Sequence, residues 1–247
     1  MSDTTSDTTS NSINIEKIII YPIKSCAGFE ITSDYLNYSI SEKSIEYDRN
    51  YCLLDSNGKK LLAKKYPIIV LIKPEIDLIN KLLIVSFKEK QIKISLSQTE
   101  FDNTIHNWFT DIIGINCKLI KIKEEQTNFS NQGNFLLINQ ASIDDLNDKL
   151  HKEKDNYDKM YCEYSRFRPN FLVNLKEPYI EDTLSDIIFN QYSDNKFTLY
   201  DKCTRCGSVN VDPFTGIISN GEPLLTFTKY RRINNKTYFG TLLKINL

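Results

Sequence analysis

Phe197-Thr198-Leu199-Tyr200 leads into Cys203-Thr204-Arg205-Cys206 and then Val211-Asp212-Pro213-Phe214-Thr215-Gly216. The first four residues are aromatic, β-branched or apolar and read as a strand. Gly207, Val209, Val211 and Pro213 then oppose a helix, so the two cysteines sit on a turn that leaves a sheet. A thioredoxin-like redox pair would need its Cys-x-x-Cys at the start of a helix. The segment therefore points to a mostly β, α+β chain.

Working outward, residues 238–245 predict a strand and residues 224–230 a short helix. Residues 171–175 and 135–138 predict further strands, with a charged flexible connection over 151–160. Ile143, Leu146 and Leu150 recur on one helical face. Ser142 stands near that helix's start with Asp145 three residues on, close to a capping box. Residues 118–122 read as a strand and 124–133 as a polar loop. Ile105, Trp108, Phe109, Ile112 and Ile113 predict a helix over Asn103–Ile113, ended by Gly114. Before it, residues 15–23, 38–55, 68–72, 81–87 and 91–96 read as strands. Ser56-Asn57-Gly58 is a hairpin signal, because Asn and Gly tolerate positive φ. Residues 1–13 read as a disordered tail. The expected organisation is a β-barrel-like unit over 14–102, a helix and linker over 103–129, and a second β-rich domain over 130–247.

The chain has 247 residues with 40% hydrophobic content, enough for one or two cores. A formal net charge of −1 gives no global basic field for nucleic acid. No apolar run reaches the roughly 18 residues of a membrane span. The first dozen residues lack the basic start and apolar core of a secretory signal, so a cytoplasmic location is expected. Six irregularly spaced cysteines do not read as a disulfide scaffold.

Cys206 has several readings: a buried structural cysteine, half of a zinc site, or a lone thiolate ligand to a soft metal. Zinc needs four ligands, and no second Cys-x-x-Cys or histidine pair is present. A thiolate beside Arg205 suits a soft transition metal. Arg166 and Arg168 flank Phe167, so in an extended chain both point one way while Phe167 enters the core. Paired guanidiniums suit a phosphate, or a solvated edge. Asn170 offers a donor and an acceptor. Lys24 and Ser25 occupy a turn after a strand, and Asp48-Arg49 reads by default as a local ion pair. Ser142 is by default a helix N-cap, in a place that also attracts anions. Taken together, these groups suggest a metal carried by a phosphorylated organic cofactor.

The motifs in this order resemble the MOSC family, whose members bind the molybdenum cofactor. Tyr21-Pro22-Ile23-Lys24-Ser25-Cys26 and Tyr47-Asp48-Arg49 resemble its N-terminal β-barrel unit. Phe135-Leu136-Leu137-Ile138-Asn139 with Ser142, Arg166-Phe167-Arg168-Pro169-Asn170, Cys203-Thr204-Arg205-Cys206 and Phe239-Gly240-Thr241-Leu242-Leu243 resemble the MOSC domain. The resemblance implies a cofactor cleft between the two units. It implies Cys206 as the catalytic residue and molybdenum ligand, with Cys203 in support. Lys24, Ser25, Arg49, Ser142, Arg168 and Asn170, with Arg166 as a helper, would hold the pterin and phosphate. Resemblance to the amidoxime-reducing branch implies reduction of N-hydroxylated compounds by oxygen-atom transfer at molybdenum. No haem, flavin or iron–sulfur motif is present, so electrons would come from another protein; the resemblance to that branch implies a cytochrome b5-like donor. The alternative is a non-catalytic carrier of the (sulfurated) cofactor, related to the C-terminal domain of molybdenum cofactor sulfurase, that hands it to a molybdoenzyme. The pyridoxal-phosphate domain of that sulfurase finds no room in 247 residues.

Overall fold

The computed structural model describes residues 11–32, 35–122, 134–152 and 160–246. Strands β1 (Asn11–Ile13), β2 (Ile15–Ile20) and β3 (Phe29–Ile31) come first. They are followed by β4 (Tyr51–Asp55), β5 (Lys73–Asp77), β6 (Leu82–Phe87), β7 (Lys90–Ser95), helix α1 (Asn103–Ile113) and β8 (Cys117–Lys121). Then come β9 (Phe135–Asn139), helix α2 (Gln140–Lys152), β10 (Phe171–Val173), β11 (Asp186–Phe189), β12 (Lys196–Thr204), helix α3 (Leu224–Arg231), β13 (Arg232–Ile233) and β14 (Lys236–Asn246). The protein is mostly β with three α-helices among the described residues. None of the described helices is long and apolar enough to cross a membrane.

The largest sheet has the order β1-β11-β12-β14-β9-β10-β2-β3, with β13 attached to β14. Successive side chains in a strand face opposite sides, and this sheet has an apolar cluster on each. Ile18 and Ile20 of β2, Phe135 and Leu137 of β9, Phe171 of β10 and Leu243 of β14 face one cluster. Ile19, Leu136, Ile138, Leu172 and Leu242 face the other, where Ile143, Leu146 and Leu150 of α2 and Phe227 of α3 cover them. This burial on both sides explains why β9 reads as an uninterrupted apolar run rather than an alternation. The first cluster continues into β4, β6, α1 and β8.

Two smaller sheets, β4-β8 and β5-β6-β7, complete the N-terminal part. There α1 keeps its expected bounds. Asp102 Oδ1 accepts the Ile105 N–H at 3.0 Å to start it, and Gly114 at φ 80° ends it. The 56–58 turn closes with Asp55 N donating to Lys59 O at 2.8 Å and Gly58 at φ 72°.

Several expectations fail. Residues 11–13, expected in a tail, form β1, which pairs in parallel with β11; residues 1–10 lie outside the described residues. Residues 68–72, expected as a strand, form none: 68–71 lie in a 3-10 turn, Pro67–Leu71, and extended Ile72 follows it. A short apolar run buried on several sides carries no period to separate the two. Of residues 38–55 only the last five form a strand; the rest is largely turn and holds Asp48 and Arg49. β3, β5 and β11 had no reading in the sequence. The loop expected at 124–133 and most of the connection at 151–160 lie outside the described residues. The large sheet draws strands from both sides of residue 103, with β2 beside β10 and β3 beside β2.

Candidate functional site

A cavity of about 610 Å³ opens where the turn after β2, the 62–75 segment, the turn before β10 and the end of β12 meet. Lys24, Ser25, Arg49, Arg166 and Arg168 line it, and so do Cys203 and Cys206. Segments far apart in sequence are thus brought to one wall.

The N-terminal contribution is fixed through the backbone. Lys24 N donates to Tyr51 O at 2.8 Å, Ala27 N to Ile72 O at 2.9 Å, and Ser25 Oγ to Leu61 O at 3.2 Å. Gly28 is required by close approach. A Cβ there would stand 2.8 Å from both Ile19 Cγ2 and Tyr21 Cε1. Ser25, Arg49 and Arg168 adopt φ values of 72°, 57° and 59°. Non-glycine residues enter that region at a cost of about 1–3 kcal/mol each, and such residues cluster at binding sites.

Buried Asp48 organises the cations. Its carboxylate accepts the Tyr21 N–H at 2.7 Å, the Asn170 amide at 3.1 Å and the Arg49 guanidinium. The Tyr21 ring has Arg49 at 4.9 Å and Arg168 at 4.1 Å from its centre, distances that suit cation–π attraction. Arg168 donates to Cys26 O and forms no ion pair among the described residues. Burial, with Arg49 adding to it, brings Arg168 down to about 10. Burial, followed by the charges of Arg49, Arg168 and Lys60, lowers Lys24 to about 8. Positive charge is therefore crowded at this end beyond what the local carboxylates offset.

Asn170 and Ser142 are not on the cavity wall. Asn170 is buried and buckles strands together. Its amide donates to Ile19 O at 3.1 Å and its Oδ1 accepts the Leu136 N–H at 3.2 Å. Ser142 lies inside α2, which begins two residues earlier; Asn139 Oδ1 accepts the Ala141 N–H at 3.3 Å and takes the capping place. Ser142 Oγ donates to Glu181 Oε1 at 2.7 Å and accepts the Tyr179 N–H at 2.7 Å. Its hydroxyl proton is committed to Glu181, so it has no free donor to offer an anion.

The turn before β10 also differs from its extended reading. Tyr164–Arg166 is a 3-10 turn and Arg168 is left-handed. Phe167 does enter the core, stacking on Phe239 at 4.3 Å. Arg166 is buried, pairs with Asp212 at 2.8 Å and donates to Val209 O at 3.3 Å. It latches the segment after Cys206.

Cys206 is exposed, whereas Cys26, Cys52, Cys117, Cys162 and Cys203 are buried. Burial pushes the Cys206 thiol up. The Ser208 hydroxyl and N–H, with Lys64 and Arg205, outweigh it and bring the thiol below its usual value. Burial raises Cys203 and takes Cys26 to about 12. Arg205 acts less as a charge than as a brace. Its Nε donates to Phe239 O and its Nη1 to Phe167 O, both at 2.8 Å. Ser208 carried no signal beyond lying two residues from the cysteine, and Tyr21 reads only as a strand aromatic.

These residues fit a phosphorylated group with a soft metal. Among the described residues no three His, Cys, Asp or Glu side chains converge as a metal site. Ser165 Oγ, Arg166 Nε and Arg205 Nη2, all from residues of the wall, are buried without a hydrogen-bond partner among the described residues. Buried donors of this kind call for acceptors.

Residues 12–130 match the MOSC N-terminal beta barrel domain and residues 124–246 the MOSC domain. The chain is 31% identical to the molybdenum cofactor sulfurase of Arabidopsis thaliana over 277 residues, covering 94% of this chain and 33% of that protein. The Oryza sativa subsp. japonica molybdenum cofactor sulfurase is 30% identical across 98% and 34%. That of Bombyx mori is 27% identical across 95% and 32%. The chain spans about a third of the length of these relatives. A solution structure from Bordetella bronchiseptica overlaps 32% of this chain and 76% of its own at 13% identity and a TM-score of 0.28, too little to bear on the fold. With the two domain matches following one another across nearly every described residue, the chain belongs to the MOSC-domain family.

Proposed function

We propose that this protein binds the molybdenum cofactor in the cavity and reduces N-hydroxylated compounds there. One observation carries the reading: the exposed cysteine, whose thiol is held below its usual pKa, shares a wall with the crowded cations Lys24, Arg49 and Arg168. Cys206 would ligate the metal as a thiolate. Lys24, Ser25, Arg49 and Arg168 would hold the phosphate and pterin, and Arg166 would keep the ligand's segment in place. The cofactor supplies a two-electron redox centre when bound. The protein supplies placement, positive charge and a partly apolar wall. Electrons would come from a donor protein of the cytochrome b5 type.

A second reading, favoured by the sulfurase relatives, is a carrier that holds the cofactor for transfer to a molybdoenzyme. Purified protein assayed for molybdenum and pterin, and then for benzamidoxime reduction with an artificial electron donor, separates the two. Turnover supports the reductase, and loaded protein without turnover supports the carrier. Protein expressed with an ample cofactor supply that still held neither metal nor pterin would remove both. Cys206→Ser should lose molybdenum and turnover while keeping the wild-type circular dichroism spectrum. Retention of both would reject the ligand assignment.

A further inference from the structure

Residues 211–218 form a small hairpin beside the cofactor-holding groups. Asp212 Oδ1 accepts the Phe214 and Thr215 N–H groups at 2.9 Å, Asp212 N donates to Ile217 O at 2.8 Å, and Val211 bridges Ile218. Gly216, at φ 69°, lies against the Pro67–Leu71 turn; a Cβ there would stand 3.4 Å from Leu71 Cδ1 and from Pro67 O. This well-tied hairpin nevertheless leaves Phe214 64% exposed, on the cavity wall. Leu62, Val70 and Leu71 add apolar lining from the N-terminal half. Cys206 belongs near this part: Lys64, two residues beyond Leu62, is among the charges acting on its thiol. The cavity thus has a cationic part suited to a phosphate and an apolar part that gains nothing from one. Apolar lining with a few polar groups is the usual make-up of a small-molecule site.

We propose that Phe214, with Leu62, Val70 and Leu71, seats the apolar body of a small reactant whose N–O group faces Cys206. The substrate class is then neutral aryl or alkyl compounds, not small polar metabolites. This rests on the reading of Cys206 as the reacting end of the cavity.

Benzamidoxime and N-hydroxyurea both carry an N–OH group, but only the former has an apolar body. Each is titrated into the purified full chain, with binding followed by ligand-detected NMR. Wild-type protein should bind benzamidoxime about tenfold or more tighter than N-hydroxyurea, the scale set by apolar pocket contacts. Phe214→Ala should remove most of that difference, Phe214→Trp should keep it, and N-hydroxyurea should respond to neither. Equal affinities in the wild type, or benzamidoxime binding indifferent to Phe214→Ala, overturn the proposal. Absence of benzamidoxime binding overturns it too and leaves the hairpin to a protein partner. Molybdenum and pterin content of the same samples tests the cofactor reading apart. Loaded protein without discrimination sinks the substrate class alone, and discrimination without cofactor sinks the cofactor reading alone.

Discussion

Lys24 trades stability for charge. Its pKa in the fold is lowered to about 8 from 10.5 by burial and by Arg49, Arg168 and Lys60. Between those values the folded protein holds fewer protons than the unfolded chain, so stability rises with pH across that window. Below about pH 8 the charged lysine carries a constant penalty. Lys24→Gln should therefore raise the melting temperature of cofactor-free protein at pH 7 by a few degrees. The same variant should weaken binding of inorganic phosphate, and wild-type phosphate binding should weaken as pH rises through 8. Scanning calorimetry with and without phosphate reads both effects. An unchanged melting temperature would mean that the cations are screened from one another. At this scale the sequence revealed which residues carry charge or sulfur but not their partners. Lys24, Arg49, Arg168 and Cys206 line the cavity. Arg166, read as a possible anion binder, is committed to Asp212, 46 positions away, and Ser142 and Asn170 are consumed by Glu181 and Asp48. A hydrogen bond between remote segments leaves no local mark in a sequence.

The segment after Cys206 depends on a buried ion pair rather than on regular structure. Arg166 is almost wholly shielded, whereas Asp212 keeps partial access to water. Removing the cation leaves Asp212 Oδ2 and the Val209 carbonyl without the donor they share. Arg166→Met should cost roughly 3 kcal/mol in urea denaturation, in line with breaking one side of a buried pair. A loss below about 1 kcal/mol would show the latch to be replaceable by water. Elements with a period or a terminal signal were legible: α1 with Gly114, and the β6–β7 pair. The 3-10 turn at Pro67–Leu71 and three-residue strands such as β3 were not, because so few residues hold no repeat.

The whole molecule is built around a sheet that draws strands from both halves of the sequence. β2 lies beside β10, and one apolar cluster runs from β4 and α1 to β9 and β14. Cores shared in this way unfold together. Near- and far-ultraviolet circular dichroism and intrinsic fluorescence should report one coincident thermal transition. Two separated transitions would show that the halves bounded near residue 103 hold together independently. The fold class was legible because strand-forming runs and turn residues dominate the composition. The strand order was not, since it rests on pairings such as Asn11 with Ile187.

β14, residues 236–246, is an interior strand with β12 on one flank and β9 on the other. Until those residues leave the ribosome, β9 and β12 must each wait with an unsatisfied edge. From the completion of β9 until β14 emerges, the nascent chain therefore carries an adhesive half-sheet, and soluble yield should respond to chaperone supply during translation more than to the temperature at which the finished protein is stored.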